Sequence, residues 1–391
     1  MRRPTLVLVL ANVASILAAW AIAFVPLHGE PAPGLAAVHR AWDGPPYVVV
    51  AKSLYDPSSE VWEHYGKKFG LDEFSARSHA TILAVYPLTI RALSPVFGYF
   101  NGMLVATIVF SSLCVVVVYR IFVEFRMVAD PFWSSLAFVF FPARWLIYHS
   151  IGATEPPFLL FILCSFYFYR KRRFALVALF GALAAVTRIY GVLLFVAYLA
   201  AEIDRARRGA SGEDATVRGP DAALGTRSLW LLVIPAALAL HFAFFAARLG
   251  DFWAYFRVNA EQMSPIPFLG IFRNAFSDPP TAYGSALLLA AVFYGLVWQW
   301  REGHRDIVFL SLAFVVPNLF TLLADLSRFL VPVYPFLLFA PFDALWRRRE
   351  AKWAFALALP VTYAYAWASL RSNALNPVVY DSLREYLARA Q

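Results

Sequence analysis

Residues 5–25, TLVLVLANVASILAAWAIAFV, form a mainly apolar run that follows the basic start Met1-Arg2-Arg3. A helix needs about 20 apolar residues to cross a lipid bilayer, and this run has that length. A cleaved signal peptide is the alternative, but its apolar core would be shorter, about 7–15 residues. The run therefore predicts a retained membrane-spanning helix whose N-terminus lies inside the cell.

The whole chain has the composition of a membrane protein. It has 391 residues, of which 61% are hydrophobic and 15% are charged, and its mean hydropathy is +0.61. A soluble domain carries roughly a quarter charged residues, so this chain cannot cover a water-facing surface. The net charge of +9 does not indicate nucleic-acid binding, because the basic residues sit in short clusters between apolar runs. Such clusters are typical of a membrane protein and set its orientation.

Further apolar runs predict an all-α, polytopic fold with about eleven membrane-spanning helices. The predicted spans are residues 5–26, 101–123, 131–149, 156–170, 174–187, 190–201, 229–248, 282–300, 306–324, 329–346 and 353–370. Residues 79–98 are not counted, because Arg91, Pro87 and Pro95 favour a helix lying at the membrane surface. Residues 174–201 are counted as two short helices that turn near Arg188.

The connecting charges agree with this assignment. Every dense basic cluster falls on the cytoplasmic side, as the positive-inside rule requires. These clusters are Arg120 with Arg126, Arg170–Arg173, Arg205 to Arg227, Arg301 with Arg305, and Arg347–Lys352. The outer side then holds a long first loop, roughly residues 27–100, and a second loop, residues 250–280. The predicted division is a catalytic half (1–201), a cytoplasmic loop (202–228) and a C-terminal transmembrane half (229–391).

The first outer loop contains AWDGPPY at residues 41–47. A carboxylate at a membrane surface can act as a general base and take the proton from an attacking sugar hydroxyl. Asp43 is the candidate, with Gly44 and the two prolines fixing its backbone. The alternative is that Asp43 caps a helix N-terminus and Trp42 belongs to the interfacial aromatic belt.

The motif at Trp42-Asp43-Gly44 resembles the first-loop motif of the PIG-V family, the GPI mannosyltransferase 2 enzymes and their prokaryotic relatives, within the GT-C superfamily. Four later segments are similar to family segments in the same order. They are AVYPLTIR (84–91), TEPPF (154–158), TRIYG (187–191) and SRFLVPVYP (327–335). The resemblance covers residues 5–200 and 325–340. Tyr190 departs from it, standing where the family commonly has Asn.

The resemblance implies an inverting glycosyltransferase with Asp43 as the catalytic acidic residue. The donor would be a polyprenyl-phosphate sugar, with mannose implied by the family alone. The acceptor, a glycolipid, a glycan or a protein, would lie on the extracytoplasmic side of a bacterial inner membrane. The residues carried over as substrate-binding are Trp42, Gly44, Tyr47, Tyr86, Arg91, Glu155, Arg188, Arg328 and Tyr334.

The chemistry of arginine supports the assignment of these arginines to the donor phosphate. A guanidinium presents a planar fork of hydrogen-bond donors that fits phosphate oxygens. Each assignment has an alternative. Glu155 could only satisfy a helix N-terminus, Arg188 could cap carbonyls, and Arg91 could extend to lipid headgroups. Arg328 could form an ion pair with Asp325, and the tyrosines could be interfacial belt residues instead of platforms for sugar rings.

Two non-enzymatic functions stay open. A transporter or lipid flippase would also use broken helices. Such proteins usually have inverted repeats and a substrate-binding site near the bilayer midplane. The sequence shows no internal repeat. A non-catalytic subunit that binds a lipid-linked sugar is the other alternative. No metal site is predicted, although Asp43 and Glu155 could share a divalent cation if they meet in space.

Overall fold

The computed structural model describes residues 2–26, 32–71, 74–211, 226–323, 326–372 and 374–389. Within these ranges all regular elements are helical, and extended pairing is limited to two isolated β-bridges, Ala41 with Ala374 and Met263 with Thr321. The predicted all-α class is therefore confirmed. Residues 212–225 of the predicted cytoplasmic loop, and Asp325, lie outside the described residues.

The helices vary widely in length. Those of the first half are α1 Arg2–Ala21, α2 Leu35–His39, α3 Gly44–Ser53, α4 Val61–Tyr65, α5 Val85–Phe97, α6 Tyr99–Glu124, α7 Pro131–Phe140, α8 Ala143–Tyr148, α9 Glu155–Arg170, α10 Phe174–Ala185 and α11 Leu193–Ser211. Those of the second half are α12 Val233–Leu249, α13 Ala254–Val258, α14 Leu269–Ser277, α15 Pro279–Arg301, α16 Arg305–Asn318, α17 Leu326–Phe329, α18 Asp343–Trp346, α19 Arg349–Ser372 and α20 Pro377–Arg389.

Five helical stretches in the described residues are long and apolar enough to cross a membrane. They are Arg3–Phe24, Tyr99–Glu124, Thr226–Leu249, Thr281–Arg301 and Arg349–Leu370. Each corresponds to one of the predicted spans. The chain is thus a helical, membrane-embedded protein.

The remaining predicted spans are not among these five. Residues 131–149 divide into α7 and α8 at Phe141-Pro142, and residues 329–346 divide into several short helical pieces. α9 has 16 residues and α16 has 14, both below the length of a full crossing. Twelve of the 16 residues of α9 are buried and the other four are half-buried. Such segments stay predicted spans, because a short apolar helix surrounded by protein can lie at membrane depth.

Two local predictions agree with the structure. The segment kept out of the span count, residues 79–98, contains only the 13-residue helix α5. The run at residues 174–201 breaks into α10 and α11, with a 3₁₀ turn at Ile189–Val192, where the turn was expected. A Cβ atom at Gly191 would lie 2.3 Å from the carbonyl carbon of Ala184, so only glycine allows this turn to pack on the end of α10.

The residues form two compact units that interleave along the chain. The first contains Met1–Leu160, His241–Asn259 and Trp346–Gln391, and the second contains Phe161–Leu240 and Ala260–Leu345. The grouping differs from the linear division predicted at residues 201 and 229. Late segments return to early ones: Tyr55, for example, packs edge-on against Phe245 with ring centroids 5.1 Å apart.

In the first unit, α1 packs against α6 and α19 through polar contacts. The side-chain amide of Asn12 donates to Ser111 (3.0 Å) and Ser112 (3.1 Å) on α6. Tyr363 of α19 donates to the hydroxyl of Ser15 (2.9 Å). Hydrogen bonds between apolar helices fix their rotation, because an unsatisfied polar group in hydrocarbon is costly.

The C-terminal segment of the first unit closes over the first loop. Leu375 N–H donates to Arg40 O (2.9 Å), and the Arg40 side chain donates to Leu375 O (2.7 Å). Farther along, α20 packs on α4, where His64 and Tyr386 stack at 4.7 Å. The two hydrogen bonds between Arg40 and Leu375 hold the residues immediately before the Trp-Asp-Gly turn.

In the second unit, three segments predicted to be cytoplasmic lie together. Arg170 makes a bidentate ion pair with Asp306 at 2.7 and 2.9 Å. Arg305 donates to Asp204 at 2.8 Å, and Arg172 pairs with Glu202. The ends of α9 and α11 and the start of α16 therefore occupy one end of this unit, as segments on the same side of a membrane must.

Candidate functional site

The Trp-Asp-Gly turn connects α2 to α3 in the first unit. Trp42 has a φ of 52°, which a bulky residue adopts only when its surroundings impose it. Its indole packs edge-on against Tyr148 with ring centroids 5.5 Å apart. The Arg144 guanidinium lies 5.8 Å from the Trp42 ring and 5.4 Å from the Tyr365 ring. Trp42 is therefore anchored by an aromatic and cationic cluster, and Asp43 follows it.

Asp43 occupies the N-cap position of α3, but its side chain does not cap the helix. A capping side chain accepts a hydrogen bond from the N–H of the second or third helical residue. Those residues are Pro45 and Pro46, which have no N–H. The backbone of Asp43, with ψ of 4°, also lacks the extended conformation of a capping residue. The capping alternative thus explains the position of Asp43 but gives its carboxylate no role.

Tyr65 on α4 lies within electrostatic reach of Asp43. Burial raises the pKa of the Tyr65 hydroxyl above its usual range, and the negative charge of Asp43 adds to the rise. Tyr65 is almost fully buried and stacks on Phe74 with ring centroids 4.9 Å apart. A neutral phenol beside the carboxylate suits a site that handles hydroxyl groups, because it can donate a hydrogen bond without adding charge.

A buried polar cluster lies beyond the turn. The rings of Tyr47 and Tyr86 pack edge-on at 5.2 Å. The hydroxyl of Tyr47 lies 3.4 Å from that of Thr154, and the hydroxyl of Tyr86 lies 2.7 Å from that of Thr107. Glu155, next to Thr154, is 2% exposed and contributes to raising the pKa of Tyr86, for which burial is the main cause.

Met103 connects the turn to this cluster. A Cβ atom at Gly44 would lie 3.2 Å from the Met103 methyl, and one at Gly152 would lie 2.2 Å from its sulfur. The carbonyl oxygen of Met103 accepts a hydrogen bond from Tyr86 at 3.0 Å. Six predicted residues therefore belong to one packed region of the first unit: Trp42, Asp43, Gly44, Tyr47, Tyr86 and Glu155.

Arg91, on α5, makes a different contact. Its guanidinium donates to the carbonyls of Ala51 (3.1 Å) and Lys52 (3.0 Å), at the C-terminal end of α3. Cations stabilise a helix at this end. Arg91 therefore supports the helix that begins at the Trp-Asp-Gly turn, and its contact with phosphate stays a prediction.

In the second unit, two distant motifs meet at Phe329. The Arg188 guanidinium lies 5.5 Å from the Phe329 ring, and the Tyr190 ring lies 6.2 Å from it. Arg328 precedes Phe329 on α17, and Tyr334 holds that helix by donating to the carbonyl of Ser327. The TRIYG and SRFLVPVYP segments are thus neighbours in this unit, which brings both predicted phosphate-binding arginines to the same Phe329.

Seven of the ten predicted site residues therefore lie in the first unit, and Arg188, Arg328 and Tyr334 lie in the second. Within the described residues, no group of three or more His, Cys, Asp or Glu side chains is placed to hold a metal ion. The sequence analysis missed Arg144, Tyr65 and Phe329. A signal existed for Arg144, since it is a lone charge inside a predicted span, and for Phe329, which lies in the SRFLVPVYP segment; Tyr65 carries no such signal.

Comparison with known proteins assigns no family to the chain. No family model matches it, and no curated protein matches it. The resemblance to the PIG-V family consequently rests on the five short segments described above.

Proposed function

We propose that this chain is an inverting glycosyltransferase of GT-C type. It would cross a bacterial inner membrane about eleven times and move a hexose, with mannose implied by resemblance, from a polyprenyl-phosphate donor to an extracytoplasmic acceptor. The observation that carries the proposal is the position of the Asp43 carboxylate at the start of α3, next to anchored Trp42 and within electrostatic reach of the buried Tyr65 hydroxyl.

The proposed reaction is a single displacement. Asp43 takes the proton from an acceptor hydroxyl while that oxygen forms a bond to C1 of the donor sugar. The bond from C1 to the phosphate oxygen breaks, and the polyprenyl phosphate leaves as an anion. Because the leaving group is already stable, the enzyme needs a base and a set of cations more than a general acid.

Two cationic positions could bind the phosphate. Arg188 and Arg328 both adjoin Phe329, and Arg144 adjoins Trp42. The proposal assigns the phosphate to Arg188 and Arg328, with Arg144 as a further cation close to the base. Glu155, Tyr47 and Tyr86 offer buried hydroxyl and carboxylate groups suited to sugar hydroxyls.

The direct test is transfer in proteoliposomes from a polyprenyl-phosphate mannose donor. Removing a general base costs about 10²–10⁴-fold in rate, so Asp43→Asn should lie that far below wild type. Glu63→Gln is the matched control, because Glu63 is exposed on α4 of the same loop, and it should retain full transfer. Equal transfer by Asp43→Asn and wild type would remove Asp43 from the mechanism.

The same vesicles separate the enzyme from a flippase. A flippase would move the labelled donor between leaflets and leave its sugar–phosphate bond intact. The enzyme should release free polyprenyl phosphate in proportion to the glycosylated product. Donor translocation without bond cleavage would contradict the proposal.

A further inference from the structure

Helix α14 presents an apolar face that no described residue covers. Leu269, Phe272 and Phe276 lie three and four residues apart, hence on one side of the helix, and are 37%, 66% and 91% exposed. A phenylalanine that is 91% exposed is unfavourable in water. The spacing and exposure are those of a helix that lies in a membrane interface.

The exposed face of α14 continues into a spanning helix. α15 begins two residues after α14, and it is one of the five helices long enough to cross the membrane. Its residues Tyr283 and Leu287 are each 72% exposed. The opposite side of α15 is packed, since a Cβ atom at Gly295 would lie 2.5 Å from the carbonyl oxygen of Leu337. The open face of α15 must therefore meet lipid, and α14 packs beside its first turns.

A cavity of about 570 Å³ opens beside α14 in the second unit. Arg273 and Asn274 of α14 line it together with Glu261, Gln262 and Leu323. Two contacts fix its walls: Leu322 N–H donates to Gln262 O at 3.0 Å, and a Cβ atom at Gly270 would lie 2.2 Å from Thr321 O. The cavity thus combines one cation, one anion, two amides and an apolar rim.

We propose that α14 lies in the headgroup layer of the bilayer and that this cavity binds the headgroup of a phosphatidylethanolamine. Arg273 would bind the phosphate, and Glu261 would accept hydrogen bonds from the ammonium group. The pairing of charges selects this lipid, because a phosphatidylcholine nitrogen has no hydrogen to donate and phosphatidylglycerol has no cation. The proposal is independent of the glycosyltransferase activity.

The depth of α14 is tested with a nitroxide label at Phe276→Cys in liposomes. The label should be more accessible to oxygen, which concentrates in lipid, than to a water-soluble nickel chelate. The same label at Glu63→Cys, an exposed polar position, should show the reverse. Equal access of the chelate to both positions would overturn the placement of α14.

Headgroup binding is tested by thermal unfolding in nanodiscs of phosphatidylethanolamine, phosphatidylcholine or phosphatidylglycerol. Wild type should unfold about 2–4 °C higher in phosphatidylethanolamine than in either other lipid. Arg273→Gln and Glu261→Gln should each lose that difference. Arg301→Gln and Glu302→Gln, the matched pair at the far end of α15, should keep it.

Two results would overturn the headgroup assignment. One is equal stability of wild type in all three lipids. The other is a preference for phosphatidylethanolamine that survives in both cavity variants. A preference for phosphatidylglycerol would likewise contradict it, since that lipid cannot use Glu261.

Discussion

At the scale of single residues, Arg144 is the side chain whose role the structure changes most. It lies in a run that hydropathy assigns to a membrane span, and it contacts the rings of both Trp42 and Tyr365. A guanidinium over an aromatic ring contributes about 0.5–1 kcal/mol at an exposed site and more when desolvated. Arg144 therefore both anchors Trp42 and places a positive charge beside the residue that precedes Asp43.

Replacing Arg144 should separate these two effects. Arg144→Gln removes the charge together with both cation–aromatic contacts, which contribute about 0.5–2 kcal/mol, and should lower transfer by roughly twofold to thirtyfold. Arg144→Lys retains the charge and should recover part of the rate. Initial rates as a function of donor concentration measure the effects of both substitutions. Unchanged kinetics for Arg144→Gln would show that the residue only supports Trp42.

His39 gives a prediction for pH. Its Nε2 lies 3.1 Å from the Asn101 side-chain oxygen, an acceptor, so Nε2 carries the proton and Nδ1 accepts from Tyr380 at 2.9 Å. Burial lowers the pKa of His39 to about 4, with a smaller lowering from Arg384, although the hydrogen bond to Asn101 opposes it. The folded protein therefore holds this imidazole neutral.

The pKa of His39 in the folded protein lies below its ordinary value near 6.5. The contribution of neutral His39 to the free energy of unfolding is therefore complete above pH 6.5. It is lost as the pH falls towards 4, by roughly 1–3 kcal/mol. The protection factors of the α20 amides, which compare each exchange rate with the intrinsic rate at the same pH, should accordingly fall between pH 7 and pH 4.5. His39→Gln should remove this dependence, whereas His64→Gln, at the other contact with α20, should retain it. An α20 equally protected at both pH values in wild type would contradict the assignment.

At the scale of elements, short turns decide where helices end. The turn between α10 and α11 places Arg188 and Tyr190 beside Phe329, and it depends on Gly191. The sequence predicted a turn here because basic clusters flank an apolar run too short for two full spans. The close approach of Gly191 to Ala184 depends on the tertiary structure, and the sequence of residues 174–201 does not predict it.

Gly191→Ala should therefore lower the free energy of unfolding of the protein. Its Cβ would overlap backbone atoms of Ala184 and Ala185, and overpacking of this kind costs about 1–3 kcal/mol. Gly284→Ala is the matched control, because a Cβ there meets nothing within 4 Å, and in a helix it should stabilise by about 0.5–1 kcal/mol. Thermal unfolding in detergent measures both, and equal effects would show that the turn tolerates a side chain.

At the scale of the whole molecule, the packing of α20 on α4 constrains the topology. The first loop and the C-terminal segment touch through His64 and Tyr386, so they must lie on the same side of the membrane. If the N-terminus is cytoplasmic and the first loop is outside, the chain crosses an odd number of times. The predicted eleven crossings satisfy this, although α9 and α16 are too short to cross at full bilayer thickness.

Labelling with a membrane-impermeant maleimide tests this arrangement in intact cells. Cysteines at Ser58 and at Val378, which is exposed on α20, should react from outside to the same extent. A cysteine at Thr226 should react only after permeabilisation, and the parent protein, with its own Cys114 and Cys164, gives the background. Reaction at Ser58 without reaction at Val378 would contradict the shared side.

The sequence alone determined the class of this protein: long apolar runs need lipid, and clustered basic residues fix which loops stay in the cytoplasm. It also singled out the Trp-Asp-Gly turn, but it left a capping role for Asp43 open until the structure set the start of α3 at Gly44. Only the tertiary structure decided which residues surround that turn, because Arg144, Tyr65 and the C-terminal segment around Leu375 are separated from it in sequence. It also decided which apolar helices are internal, since buried and lipid-facing helices use the same side chains.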